Sequence, residues 1–135
     1  RDLARRVGDV AGDYAHVVID TSPKNPLLLR QALMVVEHLV VPVAPRPMDL
    51  RELPATFALA AEVDAVHPLS VSTLLVQVRA RTRSGVEART LLGSMDVPVL
   101  ASQTPMSEAL ALAFGTCPET GPYTAVLAEL LEETP

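Results

Sequence analysis

The sequence has one cysteine, one lysine, no tryptophan and only 3% aromatic residues. The single Cys117 excludes an internal disulfide, and no His or Cys spacing is typical of a metal site, which fits a reducing compartment. No long uninterrupted hydrophobic run is present either. The most apolar region, residues 27–44, contains Arg30, Gln31, Glu37 and His38, which excludes a membrane span, and no signal peptide is recognisable.

The composition of the 135 residues indicates a folded protein rather than a disordered one. Hydrophobic residues make up 49% of the chain, enough for one compact domain with a substantial core, and we therefore predict a single α/β domain over residues 1–135. The net charge of -5 argues against a generally basic nucleic-acid binder. Ten of the eleven basic residues are arginine, however, and they are unevenly distributed.

Four short apolar runs, HVVID, LVVPV, TLLVQV and VPVL, alternate with segments of helical periodicity. This alternation predicts successive β-α units, and hence a three-layer α/β sandwich with a mainly parallel sheet. The predicted helices cover residues 51–66 with Asp49 as N-cap, residues 106–113 closing at Gly115, and a last helix that begins near Pro122. The last helix places Tyr123, Val126, Leu127, Leu130 and Leu131 on one apolar face, with Glu129 outside it.

In the stretch HVVIDTSPKNP, three consecutive β-branched residues follow His16, and they predict a strand buried on both faces. Asp20 then lies at the carboxyl end of that strand, the edge at which open α/β sheets bind ligands. Asp20, Thr21 and Lys24 together have the chemistry to hold hydrated magnesium and to contact phosphate. An alternative is that Asp20 only caps a turn through its backbone.

The run HVVIDTSP, a following helix and then HLVVPVAPRPMDLREL resemble the ParA/MinD group of P-loop ATPases, particularly its plasmid- and chromosome-partition branch. The resemblance implies a P-loop NTPase fold that uses ATP and Mg2+. Asp20 would match the Walker B aspartate, which holds magnesium through water and serves catalysis. Thr21 and Ser22 would lie in the switch region beside the γ-phosphate, although Ser22 replaces an expected proline.

The resemblance also concerns the proline-containing loop APRP. Pro45, Arg46 and Pro47 match a loop that lies near the adenine and the subunit interface in the family. The alternative is that these prolines only give the buried strand a rigid exit.

The sequence departs from the family in having no phosphate loop of the form G-x-x-x-x-G-K-S/T. Its six glycines are isolated and its only lysine follows Pro23. We expect the Walker A loop to lie upstream of residue 1, so that this chain is the carboxyl-terminal part of an ATPase. The alternative is a relative that has dispensed with the loop.

The segment RARTRSGVEAR concentrates four arginines beside one acid, Glu87. The resemblance implies an ATP-bound dimer that binds DNA without sequence preference, acts with a ParB-like partner and resides on the nucleoid in the cytoplasm. Such binding depends on phosphate contacts, for which the candidates are Arg79, Arg81, Arg83 and Arg89. These arginines are alternatively only solvated, or Arg83 faces the nucleotide at the site edge. No aromatic residues lie among them, which argues against base stacking.

Two other functions remain open. One is a MinD-like positioning ATPase for division, flagella or pili, which acts at a membrane or a pole. The acidic last helix argues against membrane binding, because surface-bound amphipathic helices are usually basic. The other is an interaction domain that keeps a degenerate P-loop fold without catalysis.

Overall fold

The computed structural model describes residues 3–22, 25–113, 115–116 and 121–133. The helices are α1 (Leu3–Ala11), α2 (Pro26–Leu33), α3 (Pro47–Asp64), α4 (Ser84–Ser94), α5 (Glu108–Ala111) and α6 (Pro122–Glu133). The strands are β1 (His38–Val43), β2 (Ser70–Val78) and β3 (Val99–Pro105). They form an open parallel sheet in the order β1-β2-β3. The α/β class predicted from the sequence is therefore confirmed.

The chain divides into two compact units. The first contains residues 1–39 and 54–71, and the second contains residues 40–53 and 72–135. The division passes through α3 immediately before Pro54, which lies inside the helix. A proline at this position removes the hydrogen bond that its N–H would otherwise donate to Leu50. The helix also begins at Pro47, two residues before the predicted N-cap.

The first unit has a small core of its own. Its buried members are Leu33, Ala60, Val63 and Leu69. The N-terminus of α2 is capped by Asn25, whose side chain accepts a hydrogen bond from the Leu28 amide at 3.1 Å, with Pro26 in the first helical turn. Asp64 accepts a hydrogen bond from the Leu69 amide at 2.9 Å. This unit is therefore organised by helices and by local caps.

The predicted strand HVVID is wrong. Residues 16–20 form neither helix nor strand, and Val18 is 91% exposed. A strand is stable only where a neighbouring strand takes up its backbone hydrogen bonds, and the sheet of the described residues contains only β1, β2 and β3. Asp20 thus lies in an exposed irregular segment rather than at a strand end.

The second unit carries most of the sheet. Its core contains Leu74 of β2, Leu100 of β3 and Val126 of α6, with Val40, Val76 and Leu130 packed around them. The runs LVVPV and TLLVQV lie in β1 and β2 as predicted, while VPVL only overlaps the start of β3.

The helix predicted for residues 106–113 is only four residues long. Gly115, at a φ of +73°, lies beyond its end and does not cap it.

The predicted apolar face of α6 is only partly buried. Val126 and Leu130 pack into the core, whereas Tyr123, Leu127 and Leu131 are between 41% and 55% exposed. The buried face of α6 is narrower than predicted because α6 packs mainly against a single strand, the edge strand β3.

Strands β2 and β3 do not run in constant register. Between the pairs Thr73–Val99 and Leu75–Gln103, β3 advances by four residues while β2 advances by two. Between Leu75–Gln103 and Val78–Pro105, β2 has one residue more than β3, and Gln77 has a φ of +54°. Bulges of this kind often lie beside functional sites, because they change the direction of the side chains that follow.

Candidate anion-binding cavity

A cavity of about 530 Å3 opens in the second unit at the carboxyl ends of β2 and β3. Val78 and Pro105, the last residues of these strands, both line it. Its polar lining comes from Arg79, Arg81, Thr82, Arg89, Thr90 and Gln103. This edge of a parallel sheet is where α/β proteins bind ligands, and the lining carries positive but no negative side chains. The cavity is therefore suited to an anion.

The loop between β2 and α4 is held by local hydrogen bonds. The Thr82 hydroxyl donates to the Arg79 carbonyl at 2.9 Å and lies 2.9 Å from the Ser84 hydroxyl. Arg81 has a φ of +60°, a left-handed conformation that non-glycine residues seldom adopt. The loop therefore turns sharply between the strand and the helix, and Arg81 lies on its exposed side.

Helix α4 begins close to the end of β2. A Cβ added to Gly85 would lie 2.8 Å from Cγ1 of Val78, so glycine permits this close approach. Arg83 occupies the N-cap position and makes no side-chain capping hydrogen bond. The amides of the first turn of α4 thus lack a side-chain cap, and their dipoles add to the positive potential beside the cavity.

The four predicted DNA-binding arginines differ in their surroundings. Arg79 and Arg81 are exposed, and among the described residues their side chains have no ion pair or hydrogen bond. The Arg83 side chain is 92% exposed and its Nε lies 3.7 Å from Glu87 Oε1. This exposed pair contributes little to stability because water screens it. These three arginines can therefore reach an external anion without breaking a strong interaction.

Arg89 has a different environment, because its guanidinium is bound to β3. Nη1 donates to the Leu100 carbonyl at 2.7 Å, and Nη2 to the Ala101 carbonyl at 3.4 Å and to Gln103 Oε1 at 3.2 Å. Sequence reasoning grouped Arg89 with the loop arginines and missed this role. The signal was its place in α4 beside the buried Ala88 and one turn before the buried Leu92.

Glu129 was also missed, since we placed it outside the apolar face of α6. Its carboxylate accepts hydrogen bonds from the Ala101 amide at 2.6 Å and from the Ser102 amide at 2.8 Å. Burial tends to raise its pKa, but the hydrogen bonds from Ser102 and Ala101 and the charge of Arg89 outweigh this. The pKa of Glu129 therefore lies below its usual value.

The proline-containing loop connects β1 to α3. Pro45 is half-buried, Arg46 donates from Nη2 to Gln77 Oε1 at 2.6 Å, and Pro47 begins α3. Nη1 of Arg46 also lies 3.9 Å from Asp49 Oδ2. These contacts hold Arg46 against β2 and the start of α3, and a nucleotide contact by the loop residues stays a prediction.

The predicted magnesium and switch residues belong to the first unit. Asp20 and Ser22 are exposed and Thr21 is half-buried, all in an irregular segment. Lys24 and Cys117 lie outside the described residues. Over the described ranges, no group of three or more His, Cys, Asp or Glu side chains is arranged to hold a metal. A magnesium site on Asp20 alone, through water, stays a prediction.

The chain was compared with known protein families and with curated proteins. No model of a known protein family matches this chain, and no curated protein matches it. No helix in the described part of the chain has the length and apolar character required to cross a bilayer. The function is therefore inferred from the sequence motifs and from the geometry of the cavity.

Proposed function

We propose that this chain belongs to a ParA-like P-loop ATPase that takes part in plasmid or chromosome partition. ATP and Mg2+ drive its dimerisation, the dimer binds DNA without sequence preference, and a ParB-like partner stimulates hydrolysis. The proposal rests on the resemblance of HVVIDTSP and HLVVPVAPRPMDLREL to this family. The α/β fold with its parallel sheet supports it at the level of fold class.

In this proposal the nucleotide and the DNA engage different residues. Asp20 holds hydrated magnesium, Thr21 and Ser22 lie beside the γ-phosphate, and the Pro45–Pro47 loop lies near the adenine. The arginine loop, residues 79–83, contacts DNA phosphates. Its place of action is then the nucleoid.

One observation carries the DNA-binding part of the proposal. The Arg79 and Arg81 side chains, at the rim of an acid-free cavity, have no acidic partner among the described residues. A guanidinium presents a planar set of donors that matches phosphate oxygens, and its binding to an anion is strongest where no carboxylate competes. A local positive surface on a protein of net charge -5 is thus explained by a polyanionic partner.

The test is the salt dependence of DNA binding by the full-length protein, with the segment expected upstream of residue 1, in the presence of ATP and Mg2+. Each phosphate contact contributes about 0.9 to the slope of log affinity against log salt, so the double variant Arg79→Gln, Arg81→Gln should lose about 1.8 from that slope. The loss should be the same on unrelated DNA sequences, since phosphate contacts carry no base information. Asp20→Asn should remove the dependence of binding on ATP.

The control is Arg30→Gln, which removes the same charge from an exposed arginine paired with Glu62 at 2.9 Å in the first unit. It should leave the slope unchanged. If the double variant and the control give equal slopes, the arginine loop is only a solvated surface. Absence of ATP-dependent DNA binding by the unaltered full-length protein would instead favour the interaction domain without catalysis.

A further inference from the structure

The bulge of β3 at residues 100–102 is bound by two charged side chains from two different helices. Arg89 of α4 donates to the carbonyls of Leu100 and Ala101, and Glu129 of α6 accepts from the amides of Ala101 and Ser102. At this point the register of β3 against β2 changes, and β3 is the edge strand of the described sheet, so part of its backbone faces no neighbouring strand. The two side chains bind backbone groups in this irregular part of the edge strand.

The arrangement also fixes one wall of the cavity. Nη2 of Arg89 donates to Gln103 Oε1, and both side chains line the cavity together with the arginine loop. Three acceptors engage three of the five N–H donors of the Arg89 guanidinium, so fewer donors are left for a phosphate than on Arg79 or Arg81. Arg79 and Arg81 face no such competition among the described residues.

We propose that Arg89 and Glu129 are positioning residues that hold the cavity wall for anion binding, while Arg79 and Arg81 make the phosphate contacts. This rests on the proposed DNA-binding function. It removes Arg89 from the set of DNA contacts and adds an acidic residue, Glu129, to those that DNA binding requires.

The sign of the charge gives a sharp test. Glu129→Gln removes a negative charge, so long-range electrostatics alone predicts DNA binding as tight as before or tighter. A positioning role predicts weaker binding, because the glutamine amide presents a donor to a backbone N–H donor. We expect a loss of about tenfold in affinity, similar to the loss of one hydrogen bond of ordinary strength. Glu132→Gln, an exposed position of the same helix, is the matched control and should not weaken binding.

The arginines are compared by the slope of log affinity against log salt, with ATP and Mg2+ present. Arg81→Gln should lower the slope by about 0.9, the contribution of one phosphate contact. Arg89→Gln should lower the affinity but leave the slope unchanged. Arg89→Lys should restore only part of the affinity that Arg89→Gln loses, since an ammonium reaches fewer of the three acceptors than a guanidinium does. The proposal is overturned if Arg89→Gln flattens the slope as Arg81→Gln does, or if Glu129→Gln tightens binding.

Backbone amide hydrogen exchange separates positioning from general unfolding and from failure of the proposed function. In Glu129→Gln, exchange should accelerate at Ala101 and Ser102. In both Glu129→Gln and Arg89→Gln it should accelerate in the arginine loop, residues 79–83. The core amides of Leu74 and Leu75 should stay protected. If the unaltered full-length protein binds no DNA, the proposed function fails, while faster loop exchange still upholds positioning of the cavity. Unchanged loop exchange in both variants refutes positioning whatever DNA does.

Discussion

Two apolar runs of similar composition, HVVID and LVVPV, have opposite structures in this protein. Val18 of the first run is 91% exposed in an irregular segment, whereas Val41 and Val43 of the second are 8% and 4% exposed in β1. Strand β1 lies beside β2 in the sheet, and the first run adjoins no strand among the described residues. β-Branched composition is thus insufficient for a strand, because sheet stability depends on a paired neighbour and a covered face.

The largest expected effect tests this comparison with the same substitution in each run. Val43→Ala should lower the free energy of unfolding by about 2 kcal/mol, because it removes two buried methyl groups and leaves a cavity. Val18→Ala should change it by no more than about 0.5 kcal/mol, as for other exposed positions. Denaturant unfolding of both variants measures the difference. Equal losses would show that residues 16–20 are packed in solution and that the contrast between the runs is wrong.

The second prediction measures how closely the strand-bearing region is packed, by means of two glycines of α4. Gly85→Ala should lower stability by about 1 kcal/mol, since overpacking against Val78 exceeds the gain in helix propensity. Gly93→Ala meets no atom within 4 Å and should raise stability by roughly 0.5 to 1 kcal/mol. Thermal unfolding of the two variants should thus shift in opposite directions. A gain in stability at both positions would mean that Val78 moves aside easily and that α4 packs loosely against β2.

The smallest expected effect concerns pH and the edge strand β3. Because the folded pKa of Glu129 is lowered, its carboxylate contributes stability above the usual carboxyl pKa of about 4.3. That contribution is lost as the pH falls through the lowered folded value. Stability curves against pH should show a shallower acid decline in Glu129→Gln than in the unaltered protein. Glu132→Gln should leave the acid decline unchanged. An equal change in both variants would show that the hydrogen bonds of Glu129 to β3 do not cause the decline.

The sequence predicted those features that depend on local pattern. Strands β1 and β2 and helix α6 follow from apolar runs and from periodicity, and the arginine loop follows from its charge. The sequence did not predict the roles of Arg89 and Glu129, which bind backbone atoms of a strand distant in the chain. Their partners lie where the register between β2 and β3 changes, and register depends on the packing of two strands together rather than on either strand alone.

The extra residue in β2, Gln77, bears on which changes of sequence this protein tolerates. Side chains alternate between the faces of a strand, so one additional residue decides the face occupied by every residue that follows it. Removal of Gln77 would bring Arg79 to the position where Val78 now packs beneath Gly85. A guanidinium would then be buried and the loop would lose a cation. We therefore expect related sequences to vary in the identity of the loop residues but to keep the length of this strand, because a deletion of one codon would do more harm than several substitutions.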